Sequence, residues 1–134
     1  MEPNTGYSMS GARQAAARVL LAEDNAVIAL DVQSVLEDAG YLVVGPCISC
    51  ADVIARFETE RPDVALLDVG LADGSVLPAA ETLAHGGVPF AVMTGFKSMT
   101  LEGVLGTAPV LAKPFRLGEI ERVVAGLLHG GMAD

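Results

Sequence analysis

Residues 62–72 read PDVALLDVGLA, in which an aspartate, Asp68, follows directly on the apolar run Val64-Ala65-Leu66-Leu67. Such a run behind a proline reads as a strand buried on both faces, where an unpaired ionised carboxylate is very costly. Either the strand ends at Asp68 or something cationic meets it there. Comparable short apolar runs occur at 18–22 (RVLLA), 42–44 (LVV), 89–93 (PFAVM) and 110–112 (VLA), with 63–67 as the third strand in chain order.

The intervals between these runs carry helical patterns. In 26–39, Ile28, Val32, Val35, Leu36 and Ala39 recur at helical spacing before Gly40 ends the helix. Further helices are expected over 50–60, 76–85 and 117–128. Strands that alternate with helices imply right-handed crossovers and a parallel sheet covered on both faces. The expected fold is α/β, a five-stranded parallel sheet in a flavodoxin-like, doubly wound (βα)5 arrangement. Its fourth helix should be short or irregular, because Gly103 and Gly106 interrupt KSMTLEGVLGTA (97–108) and glycine costs about 1 kcal/mol against alanine inside a helix.

The chain has 134 residues, about one domain's worth. Residues 1–16 and 130–134 are rich in Gly, Ser and Ala and read as flexible tails around a domain at 17–129. Half the residues are hydrophobic but only 4% are aromatic, so the core is built from Ala, Val and Leu. A net charge of −9 argues against a nucleic-acid surface, which needs clustered Lys and Arg. No stretch approaches the roughly 18 apolar residues of a membrane span, and the N-terminus lacks the apolar core of a signal peptide. A cytoplasmic protein is expected.

Cys47 and Cys50 form a CxxC, which could be half a metal site or a redox pair. Four-ligand zinc would need two further ligands, and the two histidines, His85 and His129, form no paired motif. Ser49 followed by Asp52 also makes a capping box that opens a helix, which is the simpler reading. His85 lies at a helix end beside Gly86 and Gly87, where a cation complements the dipole, and His129 lies near a tail. Val27 and Leu30 fall off the core stripe of the first helix and are either isolated exposed apolars or a partner contact.

In a sheet of this type ligands bind beyond the carboxyl ends of the strands. The residues there are Glu23 and Asp24 after the first strand, Asp68 after the third, Thr94 after the fourth and Lys113 after the fifth. Three carboxylates brought together repel, and the usual resolutions are a raised pKa or a bound hard cation. Oxygen-only ligands suit Mg²⁺ better than zinc or copper. With a divalent cation neutralising the acids, Asp68 can stay ionised as a nucleophile toward phosphorus, while Lys113 and Thr94 hold phosphoryl oxygens. The competing reading is a structural charge cluster with Lys113 as internal counter-ion.

VLLAEDN, ALLDVGLADG, AVMTGF and LAKPF resemble, in order and at near-family spacing, the four signature segments of response-regulator receiver domains of two-component signalling. The resemblance spans residues 18–128. It implies that Asp68 accepts a phosphoryl group from a histidine kinase or histidine phosphotransfer protein and signals to a further protein partner. It also implies that Mg²⁺ is bound directly by Asp24 and Asp68, through water by Glu23, and by the Gly70 backbone carbonyl. Thr94 would be the switch hydroxyl, Lys113 the phosphoryl counter-ion, and Lys113-Pro114 a cis bond. PFAVMTGF resembles a subgroup of alphaproteobacterial single-domain receivers with an F-A-T-G-aromatic motif, although Val92 and Met93 replace its Phe-Ala pair.

Some positions depart from the family pattern. Val110 stands where an aromatic switch residue is usual, so Phe96 is the substitute candidate. The Thr94-to-Lys113 interval is short, which removes the basis for carrying over the family's usual dimer face. The alternatives are a pseudo-receiver that binds without phosphate turnover, and a haloacid-dehalogenase-like phosphatase. The latter needs a second aspartate where this chain has Gly70.

Overall fold

A computed structural model describes residues 16–95 and 101–130. The elements are β1 (Arg18–Ala22), α1 (Ala26–Asp38), β2 (Leu42–Cys47), α2 (Cys50–Glu60), β3 (Val64–Asp68), two short strands β4 (Gly70–Leu71) and β5 (Gly74–Ser75), α3 (Leu77–His85), β6 (Phe90–Thr94), a 3₁₀ helix (Gly103–Thr107), β7 (Val110–Ala112) and α4 (Glu119–Leu128). Five strands form one parallel sheet in the order β2-β1-β3-β6-β7, and β4 and β5 pair as a separate antiparallel hairpin.

The apolar runs are continuous because each strand serves two cores in alternation. Val19 and Leu21, Val64 and Leu66, and Ala91 and Met93 face Val32 and Leu36 of α1 and Ile120, Val124 and Leu127 of α4. Leu20 and Ala22, Ala65 and Leu67, and Phe90 and Val92 face the opposite core, with Val53 of α2, Ala79, Ala80 and Leu83 of α3, and Leu105 of the 3₁₀ helix. The fully buried side chains are mostly Leu and Val, as the composition implies.

Local signals set the ends. Asn25 caps α1, its Oδ1 accepting from the Val27 and Ile28 amides at 3.0 and 3.1 Å. Ser49 caps α2, its Oγ accepting from the Asp52 amide at 3.1 Å, so CxxC does sit at a helix start, with both thiols free and buried. His85 occupies the last turn of α3. Among the described residues the fourth helix is reduced to the 3₁₀ segment.

The second strand is longer than its expected bounds of 42–44. It runs to Cys47 through a register shift between Leu20↔Val44 and Ala22↔Cys47. Gly45 allows this with φ +111°, a conformation closed to side chains here, since a Cβ would lie 2.6 Å from the Cys47 amide nitrogen. Gly45-Pro46 and Lys113-Pro114 are both cis. The tails expected at 1–16 and 130–134, residues 16 and 130 excepted, lie outside the described residues, as does Phe96.

Candidate functional site

Strand register brings the polar residues to one level. Ala22 pairs with Leu67, so Glu23 comes level with Asp68. Asp68 pairs with Met93, which places Thr94 next along β6. Thr94 pairs with Ala112, so Lys113 follows immediately, and its amide donates to the Thr94 carbonyl at 2.9 Å. All the residues singled out from the strand ends therefore meet at one edge of the sheet.

The side chains form a connected cluster. Lys113 Nζ donates to Glu23 Oε1 at 2.8 Å and to Asp68 Oδ2 at 3.0 Å. The Asn25 amide donates to Glu23 Oε2 at 3.1 Å, so both oxygens of this 1%-exposed carboxylate have partners. Thr94 is equally enclosed, Asp68 is partly covered and Asp24 faces solvent. One carboxylate oxygen from each of Glu23, Asp24 and Asp68 lies within 4.8 Å of the others.

Two members of the cluster, Glu23 and Lys113, both hold their protons more tightly than usual. Burial pushes the Glu23 carboxyl up, Lys113 opposes this, and Asp68 adds to it; the net direction is upward. Burial alone would lower Lys113, but its bonds to Glu23 and Asp68 outweigh that and raise it. Three carboxylates against one ammonium leave a formal excess of two negative charges. An all-oxygen donor set with that excess fits a hard divalent cation.

Gly70 lies in the hairpin after Asp68, exposed and with open space around it. Val110, at the position of the usual aromatic, is 47% exposed on β7. On α1, beside the exposed Asp24, Val27 and Leu30 are 72% and 65% exposed.

Two contributors were not singled out from the sequence. Asn25, just before the helical pattern of α1, is a residue type that caps helices, but nothing in the sequence marks its amide as the donor that fixes Glu23. Asp73 belongs to the turn signal ADGS (72–75), yet its carboxylate reaches the start of α2, accepting from the Cys50 and Ala51 amides at 2.8 and 3.3 Å.

The sequence pattern of the response regulator receiver domain matches residues 19–125, and the chain belongs to that family. Receiver domains generally bind Mg²⁺, which agrees with the acidic cluster. Among relatives, the transcriptional regulatory protein PdtaR of Mycobacterium tuberculosis is 30% identical over 107 residues, covering 77% of this chain and 52% of PdtaR. The chain thus spans about half the length of the curated relatives it matches. The solution structure of SdrG from Sphingomonas melonis Fr1 is 34% identical, with TM-score 0.74 over 85% of this chain and 98% of SdrG. The BeF3-activated conformation of SdrG from Pseudomonas melonis Fr1 is also 34% identical, with TM-score 0.71 over 83% and 95%. Among the described residues no helix is long and apolar enough to cross a membrane.

Proposed function

We propose that this receiver domain is phosphorylated on Asp68 by a histidine kinase or histidine phosphotransfer protein, and acts through protein contacts or as a phosphate sink. The observation that carries this reading is the bond from Lys113 to Asp68 within a cluster of three acids. It supports the reading because Asp68, Lys113 and one oxygen from each of three acids lie together. The likeness to SdrG over nearly all of that chain supports a single-domain type, and its BeF3-activated form supports phosphoryl chemistry.

Asp24 and Asp68 would hold Mg²⁺ directly, Glu23 through water, and Gly70 through its carbonyl. When bound, the ion supplies positive charge that offsets repulsion between the acids and the incoming phosphoryl group. Asp68 Oδ then attacks phosphorus in line with the departing imidazole nitrogen; the O–P bond forms as the N–P bond breaks. Lys113 Nζ, freed from Asp68, takes a phosphoryl oxygen, and Thr94 donates its hydroxyl to another. Glu23, held by the Asn25 amide, keeps Lys113 in place. Val27 and Leu30 give a helical phosphodonor an apolar contact beside Asp24. A cytoplasmic setting follows from this kind of partner.

The test is phosphotransfer from a labelled phosphohistidine donor: wild type should accept the label and Asp68→Asn none, while Lys113→Ala should accept some but show no surface change. Equal labelling of Asp68→Asn would remove Asp68 from the role. One observation favours a second reading, a pseudo-receiver that binds partners without phosphate turnover: Lys113 is already bonded to both Glu23 and Asp68 as an internal counter-ion. No labelling of the wild type by a phosphorylated donor that labels other receivers would favour it.

A further inference from the structure

An α-helix begins with amides that have no partner within the helix. In α2 the amides of Cys50, Ala51 and Asp52 find acceptors outside the ladder. Ser49 Oγ accepts from the Asp52 amide at 3.1 Å, and the Ser49 carbonyl accepts the first regular ladder bond, from Val53, at 3.1 Å. The Cys50 and Ala51 amides instead bind Asp73, a residue more than twenty positions further along the chain. A local cap would serve the helix as well, so the use of a distant carboxylate has a second consequence: it ties two loops together.

The tied loop is the one that follows Asp68. Residues 69–76 close on themselves, with Gly70 paired to Ser75, Leu71 to Gly74, and the Val76 amide donating to the Val69 carbonyl at 3.0 Å. Leu71 is buried in the core. Beyond Asp73, two more bonds fasten this hairpin to the β2–α2 junction. The Ala72 amide donates to the Ile48 carbonyl at 2.9 Å, and Cys50 Sγ donates to the Ser75 carbonyl at 3.3 Å. Gly74, next to Asp73, holds φ +120° and makes the turn that aims the carboxylate. A carboxylate on helix-terminal amides is also favoured by the helix dipole.

We propose that Asp73 is a positioning residue: by clamping the first amides of α2 it holds the hairpin that carries Gly70, and so fixes the Gly70 carbonyl for Mg²⁺ beside Asp68. This rests on the phosphoacceptor reading given above. Partners outside the ligand shell that orient a ligand typically matter by about 10- to 100-fold in metal affinity. Asp73→Ala should fall at the low end, since Asp24 and Asp68 remain. Asp73→Asn keeps an acceptor oxygen and should recover most of the affinity.

The experiment is Mg²⁺ titration of the full chain by calorimetry and amide NMR for wild type, Asp73→Ala, Asp73→Asn and Ser49→Ala, with hydrogen exchange measured before Mg²⁺ is added. Asp73→Ala should bind Mg²⁺ on the order of tenfold more weakly, and its Ala72 and Val76 amides should exchange faster. Ser49→Ala, which removes a cap of the same helix without touching the hairpin, should lose stability but keep its Mg²⁺ affinity. Wild-type Mg²⁺ affinity in Asp73→Ala, or equal weakening in Ser49→Ala, would overturn the positioning role. Unchanged exchange at Ala72 and Val76 would overturn the clamp itself. Failure of the wild type to bind Mg²⁺ would instead overturn the phosphoacceptor reading together with this inference.

Discussion

The connection after β3 and the connection after β6 both leave the same edge of the sheet, yet they are built differently. After Asp68 the chain folds into a hairpin, buries Leu71 and is bonded to the β2–α2 junction through Asp73, Ala72 and Ser75. After Thr94, the described part is a 3₁₀ helix with no side-chain cap and a single buried residue, Leu105, leading to a half-exposed Val110. Bonds of 3₁₀ type have poorer geometry, and few buried contacts mean low local stability. Asp68, the proposed phosphoacceptor, therefore sits on the stiff side. Thr94, the proposed switch residue, leads into the connection whose described part has few buried contacts.

The looseness of the second connection can be tested against the central sheet by truncating a buried leucine in each. Leu66 is wholly enclosed between β1, β6 and the α1–α4 layer, so Leu66→Ala should cost near the top of the usual range of about 2–5 kcal/mol. Leu105→Ala should fall near the bottom, about 2 kcal/mol, because the 3₁₀ segment can collapse into the gap. Urea unfolding of both variants measures the difference, and equal costs would show that the 3₁₀ segment is packed as tightly as the central sheet, contrary to its low local stability.

Between these comes Lys113→Ala, which leaves the buried Glu23 without its cation. A loss of about 3 kcal/mol at neutral pH is expected, with added Mg²⁺ recovering part of it. Thermal melts with and without Mg²⁺ check both statements, and a Mg²⁺-independent loss would point to a purely structural lysine.

The smallest effect concerns Cys47. Burial pushes its thiol up to about 12 from an ordinary 9.0, with the Asp52 charge adding to this. The unfolded chain therefore ionises this thiol first, and its contribution to stability falls as pH rises from 9.0 towards about 12. At pH 8 the folded protein should resist alkylation at Cys47 until denaturant is added. Rapid native labelling, followed by peptide mass spectrometry, would contradict the buried placement.

The strands and the site were legible for one reason: buried parallel strands must be continuously apolar, so the first polar residue after each run marks the binding edge. Val64 to Leu67 ending at Asp68 is the clearest instance, and β1, β6 and β7 repeat it with Glu23, Thr94 and Lys113. Two features were hidden. Gly45 and Pro46 read as strand breakers, but a bulge carries β2 past them to Cys47. The Asp73 clamp spans 22 and 23 residues and leaves no periodicity, and what shows in the sequence is only an Asp-Gly turn.

The central claim is that Asp68 is a phosphoacceptor in an acid cluster suited to Mg²⁺. Intact mass spectrometry of the purified chain with acetyl phosphate, with and without Mg²⁺ and beside Asp68→Asn, tests it most directly. Wild type alone should gain the mass of one phosphoryl group, and only with Mg²⁺. An increase that persists in Asp68→Asn, or none in wild type even with a phosphorylated histidine donor, would contradict it.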